Sequence, residues 1–79
     1  MVKFPRKVTP KDLFKILEYL EFEFQSQKGS HVRFANHEGK RVTIPVHGNR
    51  AIRIGTLRNI IFQMGITQEQ FLDLYQQIT

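Results

Sequence analysis

Two stretches of this sequence alternate apolar and polar residues with period two, and they decide what the chain can build. In His31-Val32-Arg33-Phe34 the polar side chains share one parity and the apolar ones the other. Arg41-Val42-Thr43-Ile44-Pro45-Val46 repeats the pattern, with Val42, Ile44 and Val46 on the apolar side. Successive side chains of a strand point to opposite faces, so each stretch is a strand with one face for a core and one for water. His37-Glu38-Gly39-Lys40 between them is a tight antiparallel connection, with glycine able to take a positive φ. Pro45 lacks an amide donor and is tolerable only at an edge or at a strand's end.

Helical periodicity brackets these strands. Thr9-Pro10-Lys11-Asp12 reads as a helix start, with threonine as cap, proline in the first turn and an acid at the positive end of the dipole. Leu13, Ile16, Leu17 and Leu20 follow at helical spacing, and Phe14 widens the stripe. Glu21-Phe22-Glu23-Phe24-Gln25 then switches to period two and predicts a first strand with Phe22 and Phe24 inward. Lys28-Gly29-Ser30 is a turn into the second strand, His31 to Asn36. After the loop His47-Gly48-Asn49-Arg50, Gly55-Thr56 predicts the start of a second helix capped by Thr56. Leu57, Ile60, Ile61 and Met64 give that helix its apolar side and Gly65 its stop. Thr67-Gln68-Glu69-Gln70 has the form of a capping box and opens a short last helix anchored by Phe71, Leu72, Leu74 and Tyr75.

The expected product is an α+β fold: helix, three-stranded antiparallel sheet, helix, short extra C-terminal helix. The helices should cover one face of the sheet and leave the other open, carrying His31, Arg33, Arg41 and Thr43. At 79 residues, positions 1–79 form a single domain with room for one compact core. There is no cysteine, hence no disulfide or thiolate-held zinc. Neither a membrane-spanning apolar run nor a secretory h-region is present, so a soluble cytoplasmic protein is expected.

Charge is concentrated. Lys28, Arg33, Lys40, Arg41, Arg50, Arg53 and Arg58 fall within residues 28–58 against the single acid Glu38, in a chain of net charge +5. Such a segment suits a polyanion, most often nucleic acid, and it also suits plain solvated surface. A histidine beside an arginine on an open basic face can hold a phosphodiester and move its proton.

Three motifs in order carry a family resemblance. Lys28-Gly29-Ser30-His31, Ile44-Pro45-Val46-His47-Gly48-Asn49 and Gly55-Thr56-Leu57-Arg58-Asn59-Ile60 resemble the HicA family of small bacterial toxins. The first helix and Gly65-Ile66-Thr67 followed by Phe71 also fit, so the likeness spans roughly residues 9–75. The resemblance implies a double-stranded-RNA-binding-domain-like α-β-β-β-α fold. It further implies ribonuclease activity toward mRNA and neutralisation by a HicB-type antitoxin, the toxin being a monomer when free and part of a hetero-oligomer with its antitoxin. The family's catalytic histidine follows a Gly-Ser pair and so maps to His31. Two departures are visible: Glu21 stands where a glycine is expected after the first helix, and a basic extension, Lys3 to Lys7, precedes the pattern.

Metal-independent RNA cleavage uses the substrate's own 2′-hydroxyl as nucleophile, so it needs a base, an acid and cations for the charge gathering on phosphorus. His31 fits either proton role, and its alternative is a surface histidine beside a turn. Lys28, Ser30, Arg33, Arg41, Arg53 and Arg58 are the candidate RNA- or phosphate-binding residues. Ser30 reads equally as a turn former, and Gly55-Thr56, flanked by Arg53 and Arg58, reads as a phosphate cradle or as simple capping. His47 is a possible second site histidine, although a histidine bonding the Gly48-Asn49 turn is the preferred reading. His37, at the hairpin tip, has no assigned role. No histidine pair has ligand spacing, so neither a metal site nor a cofactor is expected. The competing function is a non-catalytic RNA-binding module using the same face.

Overall fold

The computed structural model describes residues 4–5 and 7–78; Met1, Val2, Lys3, Arg6 and Thr79, and with them two bases of the N-terminal extension, lie outside the described residues. The elements are α1 (Pro10–Tyr19), β1 (Glu23–Lys28), β2 (His31–Ala35), β3 (Arg41–Pro45), α2 (Ile54–Met64) and α3 (Gln68–Ile78). The strands form one antiparallel sheet in the order β1-β2-β3. This is the double-stranded-RNA-binding-domain-like α+β arrangement, with an added last helix as long as α2.

Both ends of α1 are fixed by hydrogen bonds that its sequence specifies. The Thr9 hydroxyl accepts from the Asp12 amide at 3.4 Å, and the Asp12 carboxylate accepts from the Thr9 amide at 3.0 Å, a complete capping box. At the other end the Phe22 amide donates to the Leu17 carbonyl at 2.8 Å and the Glu21 amide to that of Glu18 at 3.0 Å. These two bonds, six-to-one and five-to-two, define a Schellman motif, and buried Phe22 packs with buried Leu17 in the same core. The motif needs a left-handed residue, and Glu21 supplies it with φ of 65°.

That cap corrects the first strand. Residues 21 and 22 close α1, and β1 begins only at Glu23. Phe22 is buried as expected, but Phe24 is 58% exposed. Phe24 pairs with Phe34 and meets its ring edge-on at 6.2 Å, so it does lie on the core side of the sheet. It stays exposed because every residue of β1, an edge strand, remains open to solvent.

The start of α2 is also corrected. It begins at Ile54, with Arg53 in the cap position and no side-chain cap bond, which places Thr56 inside the first turn. Gly65 ends the helix in the left-handed region. The α3 capping box forms as expected, Thr67 and Gln70 exchanging bonds of 3.1 and 2.8 Å.

The core joins Val32, Phe34, Val42 and Ile44 of the sheet to Leu13, Ile16 and Leu17 of α1, Leu57, Ile60, Ile61 and Met64 of α2, and Phe71 of α3. Phe14, Leu20, Val46, Leu74 and Tyr75 pack against it half-buried. Val8 is buried too, its carbonyl accepting from the Ile52 amide at 2.7 Å, and Phe4 meets Phe71 edge-on at 6.3 Å. Among the described residues no charged or polar side chain is buried. No helix among them is long and apolar enough to cross a membrane.

Candidate active site

The pairing register builds the open face of the sheet. Lys28 pairs with His31 and Ser26 with Arg33 across β1 and β2; His31 pairs with Pro45, Arg33 with Thr43 and Ala35 with Arg41 across β2 and β3. Directly paired residues share a face, so Lys28, His31, Arg33, Arg41, Ser26, Thr43 and Pro45 lie together opposite the core. A bulge between Phe24 and Ser26 keeps this alignment while taking up one extra residue.

His31 stands at the head of β2, exposed, after a two-residue loop in which Gly29 has φ of 61°. Positive φ at the first loop position alone is the II′ pattern, which matches the twist of the flanking strands and holds Lys28 directly across from His31. The Val46 amide donates to the Ser30 carbonyl at 2.6 Å. Residues 30 and 46 therefore occupy a hydrogen-bonded position, and His31 with Pro45 the adjacent non-bonded one, where Cα atoms approach to about 4.5 Å. The proline ring thus flanks the imidazole on one side and the lysine flanks it on the other.

The remaining candidates fall into separate places. Arg33 is one face position along β2 from His31, about 7 Å. Arg33 and Arg41 line one shallow depression with Gln25 and Ser26, and that depression contains no acid. Arg41 lies four residues from Pro45, so it is about 13 Å down the sheet from His31. Ser30 is half-buried in the turn and contributes its backbone carbonyl to the sheet. His47 and Arg53 leave the sheet face and line a cleft with Pro45, Arg50 and Thr56. Arg58 lies over the Phe4 ring at 5.8 Å, a cation–π contact that turns it to the packed N-terminal segment.

Two residues of this region carry no site assignment from the sequence. Ser26 sits on the face beside Arg33, but an all-polar stretch carries no parity signal until its register is known. In the sequence Arg50 counts only toward the basic segment and the loop, and the cleft reveals its neighbours. The described residues include no cluster of three or more His, Asp or Glu able to hold a metal.

Such a face, with cations spread over three strands about a lone imidazole, can grip a phosphodiester chain and transfer a proton. The family model for the HicA toxin of bacterial toxin–antitoxin systems matches residues 10–66, from the first residue of α1 to just past α2. The chain belongs to the HicA toxin family. No curated protein matches it. Membership makes the chain a toxin-family protein of a toxin–antitoxin system, and therefore one with an antitoxin partner. The matched span contains the whole sheet, His31 and the cleft residues His47, Arg50 and Arg53. It leaves out Phe4, Val8 and α3, which complete the core from either side.

Proposed function

We propose that this HicA toxin is a metal-independent endoribonuclease acting on mRNA, with His31 as its general acid or base. The observation that carries the reading is the cross-strand register, which supports a single exposed imidazole between Lys28 and Arg33 on one basic face. In the reaction the 2′-oxygen of the substrate attacks phosphorus, the bond to the 5′-oxygen breaks, and a 2′,3′-cyclic phosphate and a 5′-hydroxyl result. His31 transfers one of the two protons involved, taken from the 2′-hydroxyl or given to the departing oxygen. Lys28 and Arg33 stabilise the charge on the phosphoryl oxygens, Ser30 donates a hydrogen bond to them, and Arg41 holds the strand further along. A HicB-type antitoxin that covers this face blocks the substrate and offsets the mutual repulsion of its cations. The toxin acts in the cytoplasm, where its mRNA is.

Incubation of labelled RNA with the pure protein in EDTA tests this. The wild type should release fragments ending in 2′,3′-cyclic phosphate. His31→Ala, at an exposed strand head, should keep its circular dichroism spectrum and lose about 10²- to 10⁴-fold in rate. Cleavage by His31→Ala at the wild-type rate refutes the assignment. The rival reading, a non-catalytic RNA-binding module, is favoured by one observation: no hydrogen bond from the described residues holds the His31 ring. RNA binding by the wild type with no cleavage under any metal condition would establish that rival.

A further inference from the structure

We infer that the cleft between the end of β3 and the start of α2 is a second RNA subsite, which binds the phosphate adjacent to the one at His31. The inference rests on the ribonuclease reading of the sheet face and extends the substrate beyond one phosphodiester.

The cleft has a volume of about 360 Å³ and is lined by His47, Arg50 and Arg53 with no acidic residue. None of the three side chains has a hydrogen-bond or ion-pair partner among the described residues. Their backbone is nonetheless held at two points. The Arg50 amide donates to the His47 carbonyl at 3.2 Å, and the Ile52 amide donates to the Val8 carbonyl at 2.7 Å. Two arginines are thus presented from an anchored loop, which lowers the ordering cost of engaging a ligand. Arg53 also occupies a helix-cap position that serine, threonine, asparagine or aspartate would stabilise through a side-chain bond, and it makes no such bond. The charge there serves the cleft at the expense of the helix.

Pro45 joins the two sites. It pairs with His31 across the sheet and also lines the cleft. One cross-strand step of about 4.5 Å and at most about 7 Å of chain separate His31 from His47, so their Cα atoms lie within about 12 Å of each other. That range takes in the separation of neighbouring phosphates in an extended strand. A strand whose scissile phosphate lies at His31 can therefore place its next phosphate between Arg50 and Arg53, where planar guanidinium groups suit phosphate oxygens. In this arrangement His47 is a binding residue rather than the second proton-transfer group.

The test compares a dinucleoside monophosphate with a trinucleoside diphosphate as substrates. The wild type should favour the longer one in kcat/KM by about tenfold or more, the scale of one charge-assisted hydrogen bond. In Arg50→Ala/Arg53→Ala that ratio should fall to about one, and in His47→Ala the loss should appear in KM. A wild-type ratio near one, a ratio the double variant retains, or a kcat loss in His47→Ala on the dinucleotide overturns the inference. Should neither substrate be cleaved, the ribonuclease reading fails, and binding then decides the subsite. Titration of the ¹⁵N-labelled protein with a 2′-O-methyl trinucleotide should move the Arg50, Arg53 and Thr56 amides together with those of Lys28 and Arg33. Shifts confined to the sheet face, or no shifts, overturn the subsite as well.

Discussion

Glu21→Gly should stabilise this protein, although it removes a side chain from its surface. Glu21 is the one non-glycine described residue with a positive φ, 65°, and it holds the left-handed position of the Schellman motif that ends α1. A left-handed conformation costs a residue with a Cβ about 1–2 kcal/mol, and glycine avoids that cost. The greater freedom of glycine in the unfolded chain takes back about 0.4–1 kcal/mol. Removing a carboxylate from the negative end of a helix, with Glu18 and Glu23 close in sequence, adds a few tenths of a kcal/mol. The net gain is about 1 kcal/mol. With an unfolding entropy of about 2.1 cal/mol/K per residue, a 79-residue chain should melt about 6 °C higher. Thermal and urea unfolding followed by circular dichroism read the change, the urea slope staying constant if only stability moves. Glu21→Ala and Glu21→Asn separate the causes: alanine removes the charge alone, while asparagine tolerates the left-handed region. The expected order of melting temperature is glycine, then asparagine, then alanine at or slightly above the wild type. A glycine variant that melts no higher than the alanine variant would refute the reasoning, because backbone strain would then play no part.

Three further substitutions probe the packing and the face. Ile44→Ala removes a fully buried side chain from the core side of β3 and should cost about 2–5 kcal/mol in urea unfolding, a large share of a small domain's stability; a loss below 1 kcal/mol would contradict that placement. Gln63→Ala removes the acceptor of the Thr43 amide, bonded at 3.0 Å, and should cost about 1 kcal/mol and speed hydrogen exchange at that amide; unchanged exchange would count against the bond. If Lys28 and Arg33 share the phosphate at His31 while Arg41 and Arg53 each meet another, log Kobs for single-stranded RNA should fall against log salt with a slope of about −2, and Arg41→Ala should make it shallower by about 0.7; an unaltered slope would take Arg41 out of the interface.

Most of this fold was legible where apolar residues recur with a period. β2 and β3, the core faces of α1 and α2, and the caps at Thr9 and Thr67 all announce themselves through spacing or cap chemistry. β1 does not, for two separate reasons. Glu21-Phe22-Glu23-Phe24 alternates like a strand, yet its first two residues are drawn into the helix cap by bonds to Glu18 and Leu17. The rest of β1, Gln25-Ser26-Gln27-Lys28, carries no apolar signal because the strand lies at an edge with all its residues exposed. The α2 boundary slipped because capping preference pointed to Thr56, whereas the chain spends the cap position on Arg53. Phe4 and Val8 had no periodic partners within so short a segment, so only tertiary contact reveals them as core-packing residues. At the site, parity alone gave the direction of His31. Its neighbours Lys28 and Pro45 depend on register, and the expectation of cleavage depends on the family motif.

The register also explains why a proline can stand next to His31. Hydrogen-bonded positions alternate along β2 and β3, and residues 30 with 46 and 36 with 40 both fall on the bonded parity. Residues 41, 43 and 45 therefore turn their backbone amides away from β2, toward the outer edge of the sheet. At 43 that exposed donor is covered by Gln63 reaching from α2. At 45 there is no donor to cover, so proline removes nothing from the ladder and leaves the edge beside His31 without a free amide. A donor at 45 would invite pairing by another strand along the same edge, across the mouth of the cleft that His47, Arg50 and Arg53 line. Proline at this position thus leaves no amide at that end of β3 for an added strand to pair with, and the opposite edge, β1, relies instead on its bulge and on its polar exposed residues.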